Sequence, residues 1–198
     1  MAASPNSIIN LSAASVLLVE STNQGMDILA QICMGFGVRT PHRCMNLADA
    51  QALLGHTPID LMICETDLSD GDGQDLVRWL RRSKLDPNAS TPVVLISGHT
   101  PLRKVQQGRD NGANAVVAKP LTPKILLDRI LWLAADKRDF VVCDTYAGPD
   151  RRWHNLGPPP GTTGRRSTDL SDSVGAAIDP NMDQSDIDAM FRPTKVTL

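Results

Sequence analysis

Aromatic residues are scarce in this chain of 198 residues, at 4% of the total. Apolar residues still make up 41%, a share typical of globular proteins, so the core is predicted to be aliphatic. A strong net charge is also lacking: the formal value is −2. That balance gives no electrostatic reason to expect binding to nucleic acid or to a membrane surface, and we expect no DNA partner.

Long apolar runs and paired cysteines are missing too. No stretch approaches the roughly 20 apolar residues that cross a bilayer, and residues 1–10 carry none of the basic residues of a secretory signal. The four cysteines are scattered singly, without the Cys-x-x-Cys spacing of a zinc site. We therefore expect a cytoplasmic protein without membrane insertion, in which at least Cys33, Cys44 and Cys64 are buried thiols.

Short apolar runs alternate with helical periods across residues 14–136. The predicted strands cover residues 16–19, 38–45, 61–64, 93–96 and 115–118. Strands that alternate with helices imply right-handed crossovers and a parallel sheet. The predicted fold class is therefore α/β, a doubly wound five-stranded domain over residues 14–136, preceded by a flexible N-terminus of residues 1–13.

The composition changes near residue 136. Three consecutive prolines at 158–160 exclude a helix or a central strand there, and Ser, Thr, Asp and Gly dominate residues 161–179. Residues 137–180 are predicted to be a disordered Arg-rich linker. Residues 181–193 are predicted to form a short amphipathic helix, because Ser185 and Asp188 have the spacing of a capping box. Its apolar face would carry Ile187, Met190 and Phe191.

Polar residues close the predicted strands at what should be one edge of the sheet. These strand ends carry Glu20, Ser21, Glu65, Ser97, Lys119 and Pro120. The carboxyl ends of parallel strands collect ligands and chemistry, so we expect these side chains to lie together. A phosphoryl switch needs such groups: a carboxylate nucleophile, acids that hold a divalent cation, a lysine for the phosphate oxygens and a hydroxyl that senses them.

The type and order of these residues resemble the pattern of a known family. Residues 14–136 resemble the receiver domain of bacterial response regulators, which has the fold of the chemotaxis response regulator. The segments that carry the resemblance are 16–21, the acceptor strand and loop at 60–73, the Thr/Ser strand at 91–98 and the Gly-Ala…Lys-Pro strand at 112–120. The resemblance implies the strand order 2-1-3-4-5, a cis peptide before Pro120 and a contact face formed by the fourth helix, fifth strand and fifth helix.

Three positions depart from that family's pattern. The acid pair of the first strand reads Glu20-Ser21, the acceptor position is Glu65, and the usual switch aromatic is Val116. The extra methylene of glutamate moves its carboxylate by about 1.5 Å, and a misplacement of about 1 Å can slow a positioned reaction about 10²-fold. We interpret the chain as a degenerate receiver that is not phosphorylated, in which Glu65 and Lys119 form an ion pair that holds one conformation.

The same residues leave alternatives open. An ordinary phosphorylated receiver would need an unusual acceptor, either Glu65 or Asp67. The candidate ligands that remain for Mg²⁺ are Glu20, Glu65 and Asp67, although position 21 has lost its carboxylate. Glu20 and Ser97 could also be plain strand ends.

The linker suggests a different function. Two arginine pairs, an aromatic residue and nearby acids form a candidate nucleotide site at Asp150, Arg151, Arg152, Trp153, Arg165, Arg166 and Asp169. Guanidiniums bind phosphates and stack on bases, and Asp accepts from the edge of guanine. The segment is similar to the arginine-rich tails of receiver-like flagellar regulators that bind cyclic di-GMP. The competing interpretation is a solvated linker.

The predicted last helix is similar to the short acidic peptide by which the flagellar switch protein recruits a receiver. Such a peptide is an amphipathic helix that lies in a groove. The helix would then be an internal ligand of its own receiver domain or a competitor for the motor, unless it is a plain terminal helix. The leading expectation is two-component, phosphorelay-type signal transduction by protein–protein contact, without enzyme activity.

Overall fold

The computed structural model describes residues 10–136, 138–151 and 181–191. The strands are β1 (Val16–Val19), β2 (His42–Cys44), β3 (Leu61–Glu65), β4 (Asp67–Leu68), β5 (Gly71–Asp72), β6 (Val93–Ser97), β7 (Ala115–Ala118), β8 (Phe140–Cys143) and β9 (Tyr146–Pro149). The helices are α1 (Asn23–Gly35), α2 (Leu47–Leu54), α3 (Gly73–Arg82), α4 (Leu102–Asp110), α5 (Pro123–Ala134) and α6 (Gln184–Phe191), with a 3-10 turn at Asn88–Ser90.

Five strands form a parallel sheet in the order β2-β1-β3-β6-β7. With β6 and β7 as its fourth and fifth strands, this is the predicted order 2-1-3-4-5, and the α/β fold class is confirmed. The peptide between Lys119 and Pro120 is cis, as the resemblance implied. The weakest predicted strand, at 38–45, is reduced to β2 at the sheet edge, after Pro41.

Both faces of the sheet are covered, which explains why its strands read as unbroken apolar runs. Successive side chains of β1 point to opposite faces: Leu17 and Val19 join one apolar cluster, and Val16 and Leu18 join the other. The clusters are almost entirely aliphatic, as the composition predicted. Three cysteines are buried and Cys143 is exposed.

Polar side chains cap the N-termini of α1 and α3 at the carboxyl edge of the sheet. Thr22 accepts a hydrogen bond from the backbone N–H of Gly25 at the start of α1. Asp72 does the same for Gln74 at the start of α3. These caps satisfy backbone donors that a helix leaves open in its first turn, and they set helix starts beside the candidate site.

The prediction of an unstructured linker from residue 137 is wrong for the first part of that segment. Strands β8 and β9 form an antiparallel hairpin, and Tyr146 and Ala147 are buried. A Cβ on Gly148 would lie 2.7 Å from the Cα of Gly112, so the two backbones touch and the hairpin belongs to the domain. None of the helices in the described part of the chain is long and apolar enough to cross a membrane.

Candidate functional site

The carboxyl edge of the sheet brings Glu20, Glu65 and Lys119 together. Glu20 follows β1, Glu65 ends β3 and Lys119 follows β7. The Lys119 ammonium lies 3.2 Å from Oε2 of Glu20 and also forms an ion pair with Oε2 of Glu65. The two carboxylate side chains are 2% and 5% exposed, whereas that of Lys119 is 40% exposed. One partly open cation therefore bridges two buried anions.

The carboxylate of Glu20 is held from two sides. Its Oε1 accepts hydrogen bonds from the backbone N–H of Thr22 at 3.0 Å and from the Thr22 hydroxyl at 2.9 Å. Gly25 of α1 approaches so closely that a Cβ there would lie 2.5 Å from Cδ of Glu20. Burial would raise the pKa of Glu20, but the Thr22 hydrogen bonds and the Lys119 ammonium outweigh it and keep this pKa below its ordinary value.

Glu65 has a different electrostatic environment. Burial raises its pKa above the ordinary value, and neither the Lys119 ammonium nor the backbone of Asp67 fully offsets this. Its Oε1 accepts from the backbone N–H of Thr66 at 3.1 Å. Lys119 responds to both acids: burial would lower its pKa, but Glu65 and then Glu20 raise it above the ordinary value. Lys119 is therefore held in its charged form by the two carboxylates.

Ser97 contacts this group through Thr66. The Thr66 hydroxyl donates to Oγ of Ser97 at 2.8 Å, and Ser97 donates to the carbonyl of His99 at 2.9 Å. Ser97 is thus turned towards the loop that follows the acceptor position. Sequence reasoning missed Thr66, although its place directly after Glu65 is a usable signal.

The remaining predicted site residues add no side chain to the ion pairs of Lys119, although the backbone N–H of Asp67 donates to Oε1 of Glu65 at 3.4 Å. Ser21 is half-buried and has no carboxylate. The side chain of Asp67 is 61% exposed and pairs with Lys104 at 3.4 Å. Val116 is buried in β7, where its short side chain cannot act as an aromatic switch.

The group does not fit Mg²⁺, which prefers several oxygen ligands in octahedral geometry. The Lys119 ammonium already pairs with Oε2 of both Glu20 and Glu65, and the side chain of Asp67 pairs with Lys104. Within the described ranges, no cluster of three or more His, Cys, Asp or Glu side chains is arranged to hold a metal ion.

Part of the candidate nucleotide site can be located. The guanidinium of Arg151 lies 4.2 Å from the centre of the Tyr146 ring and pairs with Asp110, and Asp150 follows β9. The other residues of that prediction, Arg152, Trp153, Arg165, Arg166 and Asp169, lie outside the described residues, so the nucleotide site stays a prediction.

Helix α6 lies within the range predicted for the docking helix and packs against β7 of its own domain. Ile187 and Phe191 are buried, and Met190 is partly buried. Two polar contacts that the sequence did not predict join them: Gln184 bonds to β7, and Asp188 forms an ion pair with Arg129 of α5. The i, i+4 spacing of Gln184 and Asp188 is visible in the sequence, but the surface that these side chains contact is not.

Comparisons with known proteins agree with this fold. Residues 16–131, more than half of the chain, match the model of the response regulator receiver domain. The chain is 29% identical over 85 residues to the swarming motility regulation protein RssB of Serratia marcescens, which covers 42% of this chain and 36% of RssB. It is 27% identical over 111 residues to the response regulator protein PilR of Pseudomonas aeruginosa, which covers 56% of this chain and 24% of PilR. The matches therefore span only about a third or less of these relatives.

Solved structures show the same fold at low sequence identity. The chemotaxis response regulator CheY4 of Vibrio cholerae superposes with a TM-score of 0.55 at 21% identity, over 61% of this chain and 98% of CheY4. A putative response regulator from Chloroflexus aurantiacus gives 0.57 at 23% identity, over 62% of this chain and 98% of that protein. With the sheet order, the Lys119–Pro120 edge and the family match in agreement, the chain belongs to the response regulator receiver domain family.

Proposed function

We propose that this receiver domain signals by protein–protein contact without accepting a phosphoryl group. The observation that carries the proposal is the ion pair of Lys119 with both Glu65 and Glu20. In a phosphoryl switch the lysine holds the anionic oxygens of the incoming group. Here two carboxylates already bind the ammonium, so a phosphoryl group would have to displace them.

Two further features oppose phosphoryl transfer. Position 21 is a serine, so the edge lacks one of the acids that would hold the divalent cation needed to offset phosphate charge. The acceptor position carries the longer glutamate, whose carboxylate is buried and bound through both oxygens. Displacing it would break the ion pair of a carboxylate that is only 5% exposed, which is costly.

The Glu65 carboxylate supplies a permanent negative group where a phosphoryl group would act transiently. Ser97 supports this assignment because its hydroxyl is turned towards the acceptor loop and bonds Thr66 there. In this position the Ser97 hydroxyl is held by hydrogen bonds with Thr66 and with the backbone of His99. We infer that the domain stays in one signalling conformation, close to that of a phosphorylated receiver.

The contact would use the surface formed by α4, β7 and α5, which α6 covers in the described structure. The named relatives are a swarming motility regulation protein and a response regulator protein. We therefore place the chain in a bacterial signalling pathway, as a module that presents or hides this surface.

Labelling with acetyl phosphate and Mg²⁺ tests the proposal. The native chain should incorporate no phosphate on Glu65 or Asp67. The matched variant S21D/E65D, which restores a second acid and the shorter acceptor, should accept label on residue 65. Stable label on Glu65 or Asp67 of the native chain, abolished by E65Q or D67N, would refute the proposal.

A second candidate function is a response to cyclic di-GMP. It is favoured by one observation: the Arg151 guanidinium lies 4.2 Å from the centre of the Tyr146 ring and pairs with Asp110, and a guanidinium can bind phosphate and stack on a base. Calorimetry would compare the native chain with R151A/R152A and with R82A, which removes an exposed arginine elsewhere. Binding by the native chain and R82A, but not by R151A/R152A, would support this function, and the absence of heat with the native chain at two temperatures would exclude it.

A further inference from the structure

Strand β8 has an open edge on the side that faces away from β9. The N–H of Asp150 donates to the carbonyl of Asp139 at 2.8 Å, so these residues form a hydrogen-bonded pair of the antiparallel ladder. Such pairs alternate with pairs that exchange no hydrogen bond, which here contain Phe140, opposite Pro149, and Val142. Pro149 has no N–H, in agreement with this alternation. The backbone N–H and C=O groups of Phe140 and Val142 therefore point away from β9.

The body of the domain lies on the other side of the hairpin. Helix α3 packs against β9, Tyr146 and Ala147 are buried, and a Cβ on Gly112 would lie 2.4 Å from the carbonyl oxygen of Ala147. Val142 of β8, in contrast, is 73% exposed. Among the residues that the structure describes, no strand pairs with the outer edge of β8, and no hydrogen bond uses the outward groups of Phe140 and Val142.

Strand β8 also lacks the charged side chains, prolines and bulges by which many edge strands avoid pairing with another chain. Residues 140–143 read Phe-Val-Val-Cys, without a charge or a proline, and Phe and Val favour extended backbone. The register with β9 is continuous, without a bulge. The outer edge of β8 is therefore a template for a further strand.

The spacing of the open backbone groups is self-complementary. If a two-fold axis passes beside Val141, Phe140 of one copy lies opposite Val142 of a second copy, and the reverse. Each pair then exchanges both N–H and C=O groups, so all the outward groups of β8 gain a partner. An axis at Phe140 would place Val142 opposite residue 138, and an axis at Val142 would place Phe140 opposite residue 144, both outside the strand.

We propose that the chain associates with a second copy of itself through β8, forming a four-stranded antiparallel sheet in the order β9-β8-β8-β9 about an axis at Val141. Each domain body lies beyond its own β9, so the two bodies lie on opposite sides of the shared hairpins, about 14 Å apart. Asp139 of one copy lies opposite Cys143 of the other, so no acid opposes an acid. The surface lies outside residues 16–131, which match the receiver domain, and the inference is independent of the proposed function.

Apolar burial would accompany the backbone hydrogen bonds. A cleft of about 610 Å³ lies between the hairpin and the end of α3, and Phe140 and Val142 both line it. Opposed residues of an antiparallel pair project to the same face of the sheet, so Phe140 of the second copy would cover the exposed Val142 and extend the wall of the cleft. Because β8 has only four residues, the contact is small, and the dimer should be weak and dependent on concentration.

Sedimentation velocity of the full chain over a range of concentrations measures this association. The native chain should shift from monomer to dimer. V142P removes the outward N–H but none of the hydrogen bonds to β9, so it should weaken dimerisation by at least about tenfold. The control V142I keeps the N–H and should associate like the native chain. A native chain that is monomeric up to about 1 mM would overturn the proposal and leave the edge to another occupant, and so would a V142P chain that dimerises as well as the native one.

Cysteine trapping tests the register in chains that also carry C143S; the other three cysteines are buried. V141C places the introduced thiols across the axis at a pair without hydrogen bonds, with Cα atoms about 4.5 Å apart, which a disulfide can span. V142C places them on a diagonal of about 7–8 Å, which is too long. On oxidation, V141C/C143S should give at least about tenfold more covalent dimer than V142C/C143S. Equal yields would overturn the assigned axis, and no covalent dimer from V141C/C143S would overturn the pairing.

Discussion

Lys119 and Glu65 form an ion pair in which the carboxylate is buried and the ammonium stays partly open to solvent. Glu65 raises the pKa of Lys119 more than Glu20 does, while burial acts in the opposite direction. Of the two carboxylates, Glu65 therefore contributes more to keeping Lys119 charged. This difference also predicts an order of effects among variants.

E65Q should lower the pKa of Lys119 relative to the native chain, and E20Q should lower it by less. Both variants leave burial in place, but E65Q removes the stronger of the two favourable interactions. The titration of the Lys119 side-chain nitrogen by NMR measures this directly. An unchanged Lys119 pKa in E65Q would show that the ion pair does not exist in solution.

The stability of the native chain relative to E20Q should depend on pH with a defined sign. The pKa of Glu20 lies below its ordinary value of 4.5 in the folded chain. Its contribution to stability is therefore fully present above pH 4.5 and is lost as the pH falls through the lower, folded-state pKa.

Urea unfolding at neutral pH should show E20Q to be less stable by about 1–3 kcal/mol, because buried hydrogen bonds lose their charged acceptor. The difference should shrink in acid. The raised pKa of Glu65 works in the opposite direction, and Glu20 is one of its causes. A second comparison, of E65Q with E20Q/E65Q, therefore isolates the contribution of Glu20. A difference that grows in acid would contradict the assigned pKa direction.

The variant G25A should displace the Glu20 side chain, although residue 25 itself makes no ion pair in the site. The new Cβ would lie 2.5 Å from Cδ and 2.7 Å from Oε2 of Glu20 and 2.7 Å from Oγ1 of Thr22, so the Glu20 carboxylate and its Thr22 partner must shift, which disturbs the contact with Lys119. We expect a destabilisation of about 1–3 kcal/mol and a lowered pKa of Lys119. The matched control is G35A in the same helix, where a Cβ would meet nothing within 4 Å. That change should be neutral or stabilising by up to about 1 kcal/mol, and equal effects of the two changes would contradict the close packing at Gly25.

The sequence predicted the sheet and its edge because both depend on local patterns. Buried parallel strands read as short apolar runs, and their carboxyl ends must meet on one side. The meeting of Glu65 with Lys119 follows from those two facts. The direction of a single side chain does not follow from the strand pattern. For this reason the sequence left Asp67 as a candidate ligand, although its side chain points outward to Lys104.

Long-range contacts account for what the sequence did not predict. The hairpin of β8 and β9 is anchored by the approach of Gly148 to Gly112, and a glycine pair separated by 35 residues gives no local signal. The apolar face of α6 was visible in its spacing. The role of Gln184 was not, because it depends on which strand of the sheet is left at the edge.

R81K should lower the free energy of unfolding, because it weakens the contacts between α3, the β8–β9 hairpin and the loops around Ala89 and Gly112. Arg81 donates to the carbonyls of Gly112 and Ala89 at 2.9 and 2.7 Å and to Oδ1 of Asn114 at 3.0 Å, and it lies over Phe140. A lysine ammonium has no planar fork to reach three separated acceptors. Buried acceptors would be left open, at a cost of about 1–3 kcal/mol in the free energy of unfolding. R82K changes the neighbouring exposed arginine and should leave the urea midpoint unchanged. If both variants unfold at the native midpoint, Arg81 does not fasten the hairpin to the sheet.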